Sequence, residues 1–337
     1  MKSWWVRSIA LGALIYGVAV GAVGRWVLMD QQRLAVEQVL VMAQDDFGNK
    51  YFGTSGGLTW VDKYDNYQIF TKENGNGSLS SDSITCLGVD QYRALWIGTD
   101  GRGLDVYDNG QWTHYTSDST HGGLPSDGVL ALALYHEEQW IGTRNGFAEL
   151  HGNVWTTYTG ADIAGRLPNP VVTAIAVDSS GNKWIGTIGG LVKFSGSSWT
   201  EYTTDNTQGG LPHNSITSLV VDSGGALWVG TQAGIARMGP DGKWTNFQGD
   251  SRLLDLSREL TYSLSLGASG DVWACIRGGV AHFSGTNLDL LTPDNTPGIM
   301  TKFVYYVMPG LVGEIWFATE KGVTAMYPPL PDPDENN

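Results

Sequence analysis

The chain has 337 residues and a formal charge of −14, with 34 acidic against 20 basic residues. This charge argues against a nucleic-acid partner, because phosphate binding needs a basic stripe and the sequence shows none. Gly at 46 residues and Trp at 14, with only 16% charged residues, favour short strands and tight turns over long helices or disorder. The two cysteines, Cys86 and Cys275, fall in separate repeats and are predicted to be buried and unpaired.

The first residues have the pattern of a membrane signal anchor. Lys2 and Arg7 precede a mostly apolar run from Ser8 to Met29. As a helix this run would be about 33 Å long at about 1.5 Å per residue, enough to span a bilayer. Basic residues on the short leading side favour a cytoplasmic N-terminus and an exported remainder. We therefore predict a transmembrane anchor over 1–29 and a short linker over 30–35.

A cleaved signal peptide is the alternative to an anchor. Val20-Gly21-Ala22 offers small residues of the kind that a signal peptidase recognises. In both cases the rest of the chain is expected outside the cytoplasm, periplasmic or extracellular. It is either tethered by a single pass through the membrane or secreted.

From residue 36 to residue 327 an aromatic–aliphatic–small–Thr box recurs at a spacing of 43 to 45 residues. A period of this length marks a repeat architecture, and each repeat holds four short β-rich runs joined by Gly, Asp and Asn turns. We predict an all-β, seven-bladed β-propeller preceded by the N-terminal helix. The boxes begin at Tyr51, Trp96, Trp140, Trp184, Trp228, Trp273 and Trp316, of which the last two boxes are degenerate.

Outer strands carry two large side chains three residues apart, such as Trp112 and Tyr115. Residues three apart on a strand point to opposite sheet faces. Because the pair recurs in register in nearly every blade, we interpret it as packing between blades and not as a carbohydrate platform.

The seventh blade is predicted to be incomplete. After Tyr327 the chain enters a Pro/Asp-rich tail over 328–337, and proline cannot donate to a strand ladder. Only Asp30 to Ala35 are free before blade 1, too few for a strand and its return loop. We expect three strands, or a marginal clasp by the first residues. In blade 6, Arg252 to Glu259 is predicted as a short helical turn.

The repeat resembles that of the two-component-regulator propeller family. The resemblance rests on Gly210-Leu211-Pro212, Val221-Asp222, the box Trp228-Val229-Gly230-Thr231, and Gly234-Ile235. It is close in blades 2 to 5 and looser in blades 1, 6 and 7. The resemblance implies an extracytoplasmic sensor module, of the kind built into hybrid histidine kinases that respond to glycans. No kinase segment follows blade 7 in this sequence, so we expect a separate signalling partner or a tethered binding module.

Candidate ligand-binding residues lie in the loops that join strand 2 to strand 3 and strand 4 to the next blade. Loops on a rigid scaffold commonly carry function, and these two sets share one face of a propeller. Asp90, Asp178 and Asp222, which end inner strands, are predicted to cap turns and not to bind calcium. The rim candidates are Asp100, Arg102, His121, Asp127, Arg144, Asn169, His213, Asn214, Gln232, Arg277, Glu320 and Lys321.

No catalytic motif or cysteine–histidine metal cluster occurs in the sequence, and no cofactor is expected. We predict a non-catalytic ligand-sensing or protein-interaction module that binds a glycan, another small molecule or an envelope protein. Two alternatives remain open. One is an envelope assembly scaffold. The other is an enzyme similar to streptogramin lyases, for which His213 with Glu320 would be the best candidates for the chemistry.

Overall fold

The computed structural model describes residues 25–29, 31–74, 79–160 and 165–328. They form seven four-stranded antiparallel sheets, which are the seven blades predicted from the repeat. Blade 1 contains β2 (Val39–Gln44), β3 (Lys50–Thr54), β4 (Leu58–Val61) and β5 (Tyr67–Phe70). Blade 2 contains β6 (Ile84–Val89), β7 (Leu95–Thr99), β8 (Leu104–Asp108) and β9 (Gln111–Tyr115). Blade 3 contains β10 (Val129–Tyr135), β11 (Glu138–Thr143), β12 (Gly146–His151) and β13 (Val154–Tyr158).

The later blades follow the same order. Blade 4 contains β14 (Val172–Val177), β15 (Lys183–Thr187), β16 (Leu191–Ser195) and β17 (Ser198–Tyr202). Blade 5 contains β18 (Ile216–Val221), β19 (Leu227–Thr231), β20 (Gly234–Met238) and β21 (Trp244–Asn246). Blade 6 contains β22 (Thr261–Leu266), β23 (Val272–Ile276), β24 (Gly279–Ser284) and β25 (Asn287–Leu291). Blade 7 contains β26 (Val304–Pro309), β27 (Ile315–Thr319), β28 (Gly322–Tyr327) and β1 (Arg25–Leu28).

Among the residues that the structure describes, two short 3-10 helices lie outside the blades, at Gln31–Arg33 and Ser251–Arg258. The second confirms the helical turn predicted before blade 6. No helix among the described residues is long and apolar enough to span a membrane.

The ring has two distinct faces because consecutive strands run in opposite directions. We call face B the side that carries the turns between strands 1 and 2 and between strands 3 and 4, such as 45–49 and 62–66 in blade 1. Face A is the opposite side. It carries the turns between strands 2 and 3, such as the one at Asp100, and the connections from one blade to the next.

In blades 2 to 6 the Trp of the box donates a hydrogen bond from Nε1 to a carboxylate at the face B end of its blade. Asp90 Oδ1 accepts hydrogen bonds from the Tyr92 and Ala94 amides, each 2.9 Å long. Its Oδ2 accepts a third hydrogen bond from Trp96 Nε1 at 2.9 Å. Asp178 and Asp222 have the same arrangement. The turn-capping role predicted for these aspartates is confirmed, and the link to the buried Trp is an addition.

The Thr of the box closes the turn on face A. Thr99 is fully buried, and its Oγ1 donates to the Gly103 carbonyl at 2.7 Å. Blades 1, 3, 4, 5 and 7 make the equivalent hydrogen bond. Ile276 replaces the Thr in blade 6. Cys86 and Cys275 are both unpaired, as predicted; Cys275 is also buried, whereas Cys86 is only partly buried.

The fourth strand of blade 7 comes from the N-terminal part of the chain. β1 pairs antiparallel with β28, with Arg25 opposite Tyr327 and Leu28 opposite Thr324. The Met29 amide continues the ladder by donating to the Val323 carbonyl at 2.9 Å. The predicted anchor helix is therefore wrong for 25–29, and blade 7 is completed by the clasp that the sequence left as its second option. Residues 1–24 of the predicted anchor and 329–337 of the predicted tail lie outside the described residues.

The reason for this pairing is the side-chain pattern of an outer strand. Trp26 lies opposite Met326, as Trp112 lies opposite Tyr107 in blade 2. Its ring centroid is 5.3 Å from that of Phe317. A Cβ on Gly298 would overlap the Trp26 ring, and Gly123 and Gly210 lie in the same way against the outer-strand Trp155 and Trp244. Trp26 with Met29 thus supplies the two large residues, three apart, that the seventh blade needs.

We expect Trp26→Ala to lower the free energy of unfolding by about 3 kcal/mol, because a large ring that fills the last blade is removed. Leu28→Ala in the same strand is the control. Leu28 is 47% exposed, so its truncation should cost less than about 0.5 kcal/mol. Urea unfolding followed by tryptophan fluorescence measures both. Equal, small effects would show that β1 contributes little to closing the ring.

The Asp–Trp link also predicts a pH dependence. Burial by itself raises the pKa of Asp178, but hydrogen bonds from Asn182, Trp184 and the Ser180 amide outweigh it and hold this pKa below its ordinary value. The ionised carboxylate therefore stabilises the fold above its unfolded-state pKa of about 3.9, and this contribution is lost as the pH falls through the lower folded value.

Asp178→Asn should accordingly be less stable than the wild type at pH 7. The side-chain NH2 group of the new Asn cannot accept the hydrogen bonds that the Asp178 carboxylate accepts from N–H donors. The difference should shrink as the pH is lowered below about 4. Asp294→Asn, at an exposed loop position, is the control and should show no such convergence. Denaturation curves over a pH series provide the measurement. A gap that stays constant down to the acid limit would contradict the proposed role of the charge.

Candidate ligand-binding face

All twelve rim candidates from the sequence lie on face A, in turns between strands 2 and 3 or in connections between blades. Several of them hold their own loops in shape. Asp127 Oδ1 accepts from the Ser117 amide at 2.7 Å, and Asn214 Oδ1 accepts from the Thr204 amide at 2.8 Å. In both cases the side chain fixes the start of a long inter-blade connection, so its polar atom already has a structural partner.

Three further candidates are engaged in local backbone geometry. His213 Nδ1 accepts from the Ser215 amide at 2.9 Å, and Asn169 Oδ1 accepts from the Val171 amide at the same distance. His121 has a positive φ of 53°, and its amide donates to the Asp118 carbonyl within a tight turn. These residues shape the rim, and their side chains do not converge on one point.

Two candidates meet across a blade boundary. Arg144 Nη2 in blade 3 lies 2.9 Å from Asp100 Oδ1 in blade 2, and both side chains are about half exposed. An exposed pair of this kind contributes little to stability, typically below about 1 kcal/mol. Arg102, Gln232 and Lys321 are exposed on the same face.

A group of aromatic, charged and amide side chains lies on face A at blades 6 and 7. Tyr262 and Tyr305 have ring centroids 5.2 Å apart and nearly perpendicular planes, at 77°. Gln38, at the start of blade 1, donates from Nε2 to the Tyr305 hydroxyl at 2.9 Å. Three successive blades therefore contribute to one polar aromatic cluster.

Charged side chains surround this tyrosine pair. Arg277 Nε lies 4.0 Å from Glu259 Oε2, and Glu320 accepts a hydrogen bond from the Thr301 hydroxyl. Burial, the neighbouring Tyr305 and the two carboxylates raise the pKa of Tyr262, while Arg277 acts in the opposite direction. The Tyr262 hydroxyl therefore stays protonated at neutral pH and keeps one donor for a ligand. We call these residues (Gln38, Glu259, Tyr262, Arg277, Tyr305 and Glu320) the blade 6–7 cluster.

The two tyrosines occupy equivalent places in the repeat. In each blade the pairing of the innermost strand with strand 2 slips by one residue near face A, which is a β-bulge. A bulge re-aims the side chain of the extra residue, and bulges are frequent beside functional sites. The innermost strands of neighbouring blades pack against one another around the axis. The bulge residues in blade order are Leu40, Thr85, Leu130, Thr173, Thr217, Tyr262 and Tyr305.

Sequence reasoning found Arg277 and Glu320 but missed the tyrosines, Glu259 and Gln38. The residues predicted from the sequence all lie in loops, whereas Tyr262 and Tyr305 lie inside strands. A signal was present, since five blades have Leu or Thr at the bulge and two adjacent blades have Tyr. The hydroxyls of Thr85 and Thr173 donate to carbonyls of the next blade, at Val129 and Ile216, whereas tyrosine introduces an aromatic ring there.

The residues suggested for lyase-like chemistry do not come together. His213 is held in the connection before blade 5, and Glu320 follows the box of blade 7. Among the hydrogen bonds and ion pairs of the described residues, none joins the two. His213 thus belongs to the connection into blade 5 and Glu320 to the turn between strands 2 and 3 of blade 7.

Among the described residues, one group at face B has the spacing of metal ligands. Ligand atoms of Glu138, Glu149 and His151 lie within 4.8 Å of one another. Lys183 Nζ from blade 4 is 3.3 Å from Glu138 Oε2 and 4.5 Å from the Trp140 ring centroid. Lys183 thus forms an ion pair with Glu138 across the boundary between blades 3 and 4, while burial and the nearby Glu138 raise the pKa of Glu149.

The face A assignments predict different costs for two alanine variants. Asn214→Ala removes the partner of the Thr204 amide and should lower the free energy of unfolding by about 1 kcal/mol. Gln232→Ala, on an exposed turn, should stay within about 0.5 kcal/mol of the wild type. Chemical unfolding of both variants measures the difference. Equal costs would contradict the division into loop-forming and solvent-facing rim residues.

Comparison with known proteins supports the assignment of the repeat. Residues 210–233 match the family described as two component regulator propeller. No curated protein sequence matches the chain.

Solved structures show the same fold. The extracellular domain of BT3049, described as a hybrid two component system of B. thetaiotaomicron, superposes with a TM-score of 0.77 at 18% identity, over 91% of this chain and 42% of that chain. The extracellular domain of BT4673 from the same organism gives 0.69 at 21% identity, over 90% and 40%. Virginiamycin B lyase from Staphylococcus aureus gives 0.68 at 13% identity, over 90% and 98%.

This chain therefore spans less than half the length of the two extracellular domains and nearly the full length of the lyase. At these identities the likeness concerns the fold. Together with the matched repeat, it shows that the chain is a seven-bladed β-propeller carrying the two component regulator propeller repeat.

Proposed function

We propose that this propeller is a non-catalytic ligand-sensing module that acts outside the cytoplasm and binds its ligand on face A. The observation that carries the proposal is the blade 6–7 cluster. Tyr262 and Tyr305 break the repeat at adjacent, equivalent positions, and charged and amide side chains from three blades surround them. A rigid scaffold with one asymmetric polar and aromatic group on its axis has the form of a binding site.

The ligand that best fits the cluster is a glycan. Tyrosine rings offer apolar faces to the C–H surfaces of a sugar and also carry a polar end. The Gln38 amide, the Arg277 guanidinium and the carboxylates of Glu259 and Glu320 supply both donors and acceptors for hydroxyl groups. A small neutral or weakly charged sugar would use all of these groups.

Location outside the cytoplasm is supported by two observations. The sequence begins with basic residues and an apolar run, and two structural neighbours are described as extracellular domains. We propose that the segment before Arg25 tethers the propeller to the membrane by a single pass, with secretion after cleavage as the alternative. Ligand binding would then be relayed to a separate signalling partner.

The likeness to virginiamycin B lyase keeps an enzymatic function as the second candidate. The separate positions of His213 and Glu320 speak against it, because general acid–base chemistry needs both groups within reach of one substrate. We expect the purified propeller to leave virginiamycin B unchanged in reversed-phase chromatography. Consumption of the antibiotic that is lost in His213→Ala would replace the sensing proposal with catalysis.

Binding to a glycan array, followed by calorimetry with the sugar identified, tests the main proposal. Tyr262→Ala and Tyr305→Ala should each weaken binding by at least about 2 kcal/mol, roughly thirtyfold in Kd, as expected for a central aromatic contact. Leu130→Ala is the matched control, because Leu130 occupies the same bulge in blade 3.

The control should bind as tightly as the wild type, and unfolding curves should show that all three variants remain folded. Glycan binding that survives both tyrosine substitutions would place the site elsewhere. Failure of every glycan, with capture of a specific protein partner that depends on face A, would favour the scaffold alternative.

A further inference from the structure

Both ends of the described chain leave the propeller at face B of blade 7. Arg25 is the first residue of β1 and lies opposite Tyr327, the last residue of β28. The Arg25 guanidinium lies 5.1 Å from the Tyr327 ring centroid. A Cβ on Gly313 would lie 3.8 Å from Pro328, so the outgoing chain passes the turn between β26 and β27. The segment that precedes Arg25 in the sequence, with its apolar run, therefore joins the ring at face B.

The most exposed large apolar side chains are also on face B. Among the described residues, those with more than half of their surface exposed all belong to turns or strand ends of this face. Their exposed fractions run from 55% for Phe47 to 76% for Val312. The large apolar side chains exposed on face A, such as Ile188 at 45%, stay below half. The face B set is Phe47, Tyr64, Tyr92, Val154, Leu311 and Val312.

Five of these six residues form one sector across three neighbouring blades. Leu311 and Val312 are in the first turn of blade 7, Phe47 and Tyr64 are in the two turns of blade 1, and Tyr92 is in the first turn of blade 2. Arg25 and Tyr327 lie in blade 7, at one end of this sector. We call it the blade 7–2 apolar sector.

Basic side chains lie among these aromatic rings. The Arg93 guanidinium is 4.3 Å from the Phe47 ring centroid, and Lys63 Nζ is 5.1 Å from that of Tyr64. The exposed carboxylates Asp46 and Asp65 lie in the same turns, so the sector has mixed charge. Aromatic residues with long basic side chains are typical of the interface between lipid and water. A surface of mixed charge fits a zwitterionic bilayer better than a strongly anionic one.

We propose that the blade 7–2 apolar sector is the surface by which the propeller rests on the lipid bilayer. The proposal rests on the membrane tether proposed above, and it adds an orientation. A tether that leaves from face B brings this sector to the headgroup region, where its exposed Leu, Val, Phe and Tyr side chains are removed from water. The blade 6–7 cluster on face A then points away from the membrane and stays open to ligands.

Site-specific labelling of the full-length chain in phosphatidylcholine vesicles tests this orientation. Val312→Cys places a labelling site on face B, and Ile188→Cys places one on face A as the matched control. Burial raises the pKa of both native thiols, Cys86 and Cys275, to about 12, which slows their reaction with a thiol label. Because Cys86 is only partly buried, the unsubstituted chain treated with the same reagent measures any labelling of the native thiols. Each variant carries an environment-sensitive fluorophore, and the vesicles contain lipid with a spin label near the headgroup.

We expect a blue shift and strong quenching for the label at position 312, and neither for the label at position 188. Equal quenching at both positions, quenching at 188 alone, or a chain that does not float with vesicles would overturn the proposal. A shift at 312 that appears without lipid and grows with protein concentration would indicate a second copy on this surface and would also overturn it. Glycan titration of the same samples reports separately on face A, so failure of the ligand proposal would leave the quenching pattern unchanged.

Discussion

The ring depends on close contact between the third residue of each box, a glycine in blades 1 to 5, and the innermost strand of the next blade. A Cβ on Gly53 would come within 2.7 Å of Ile84, and on Gly186 within 2.6 Å of Ile216. Gly98, Gly142 and Gly230 make the equivalent approach to blades 3, 4 and 6, each below 3.0 Å. A Cβ at any of these five positions would overlap the next blade, so the glycine permits the close distance between these blades. Cys275 and Ala318 replace it in blades 6 and 7, still as small residues.

Repeats bury their faces only against neighbouring repeats. The stability of the ring therefore depends on blade 7, where the two ends of the chain meet to form a seam. β1 closes that seam by giving blade 7 a fourth strand from the opposite end of the chain. An outer strand must start at face B and finish at face A, from where the chain enters blade 1. Because β1 is such a strand, the segment that precedes Arg25 is attached at face B.

The sequence alone predicts the seven blades, their turns and the helical turn before blade 6, because these depend on local patterns repeated in register. It does not settle the role of Arg25 to Met29. These residues continue an apolar run that suits a membrane helix, and they also contain Trp26 and Met29 at outer-strand spacing. Only their pairing with β28, almost a whole chain length away, distinguishes an outer strand from a membrane helix. Local periodicity contains no information about such a distant pairing.

The candidate site can be predicted from the sequence only in part. Rim residues such as Asp127 and Asn214 can be placed on face A from topology, but their use in bracing loops depends on hydrogen bonds that the sequence does not reveal. Tyr262 and Tyr305 could have been found by aligning the repeats and asking where two neighbours depart together. Positions that hold the ring, such as the box glycine, must be nearly the same in every blade. Specific recognition of one ligand requires the blades to differ, so departures of exposed or half-buried positions from the repeat are the better guide to function.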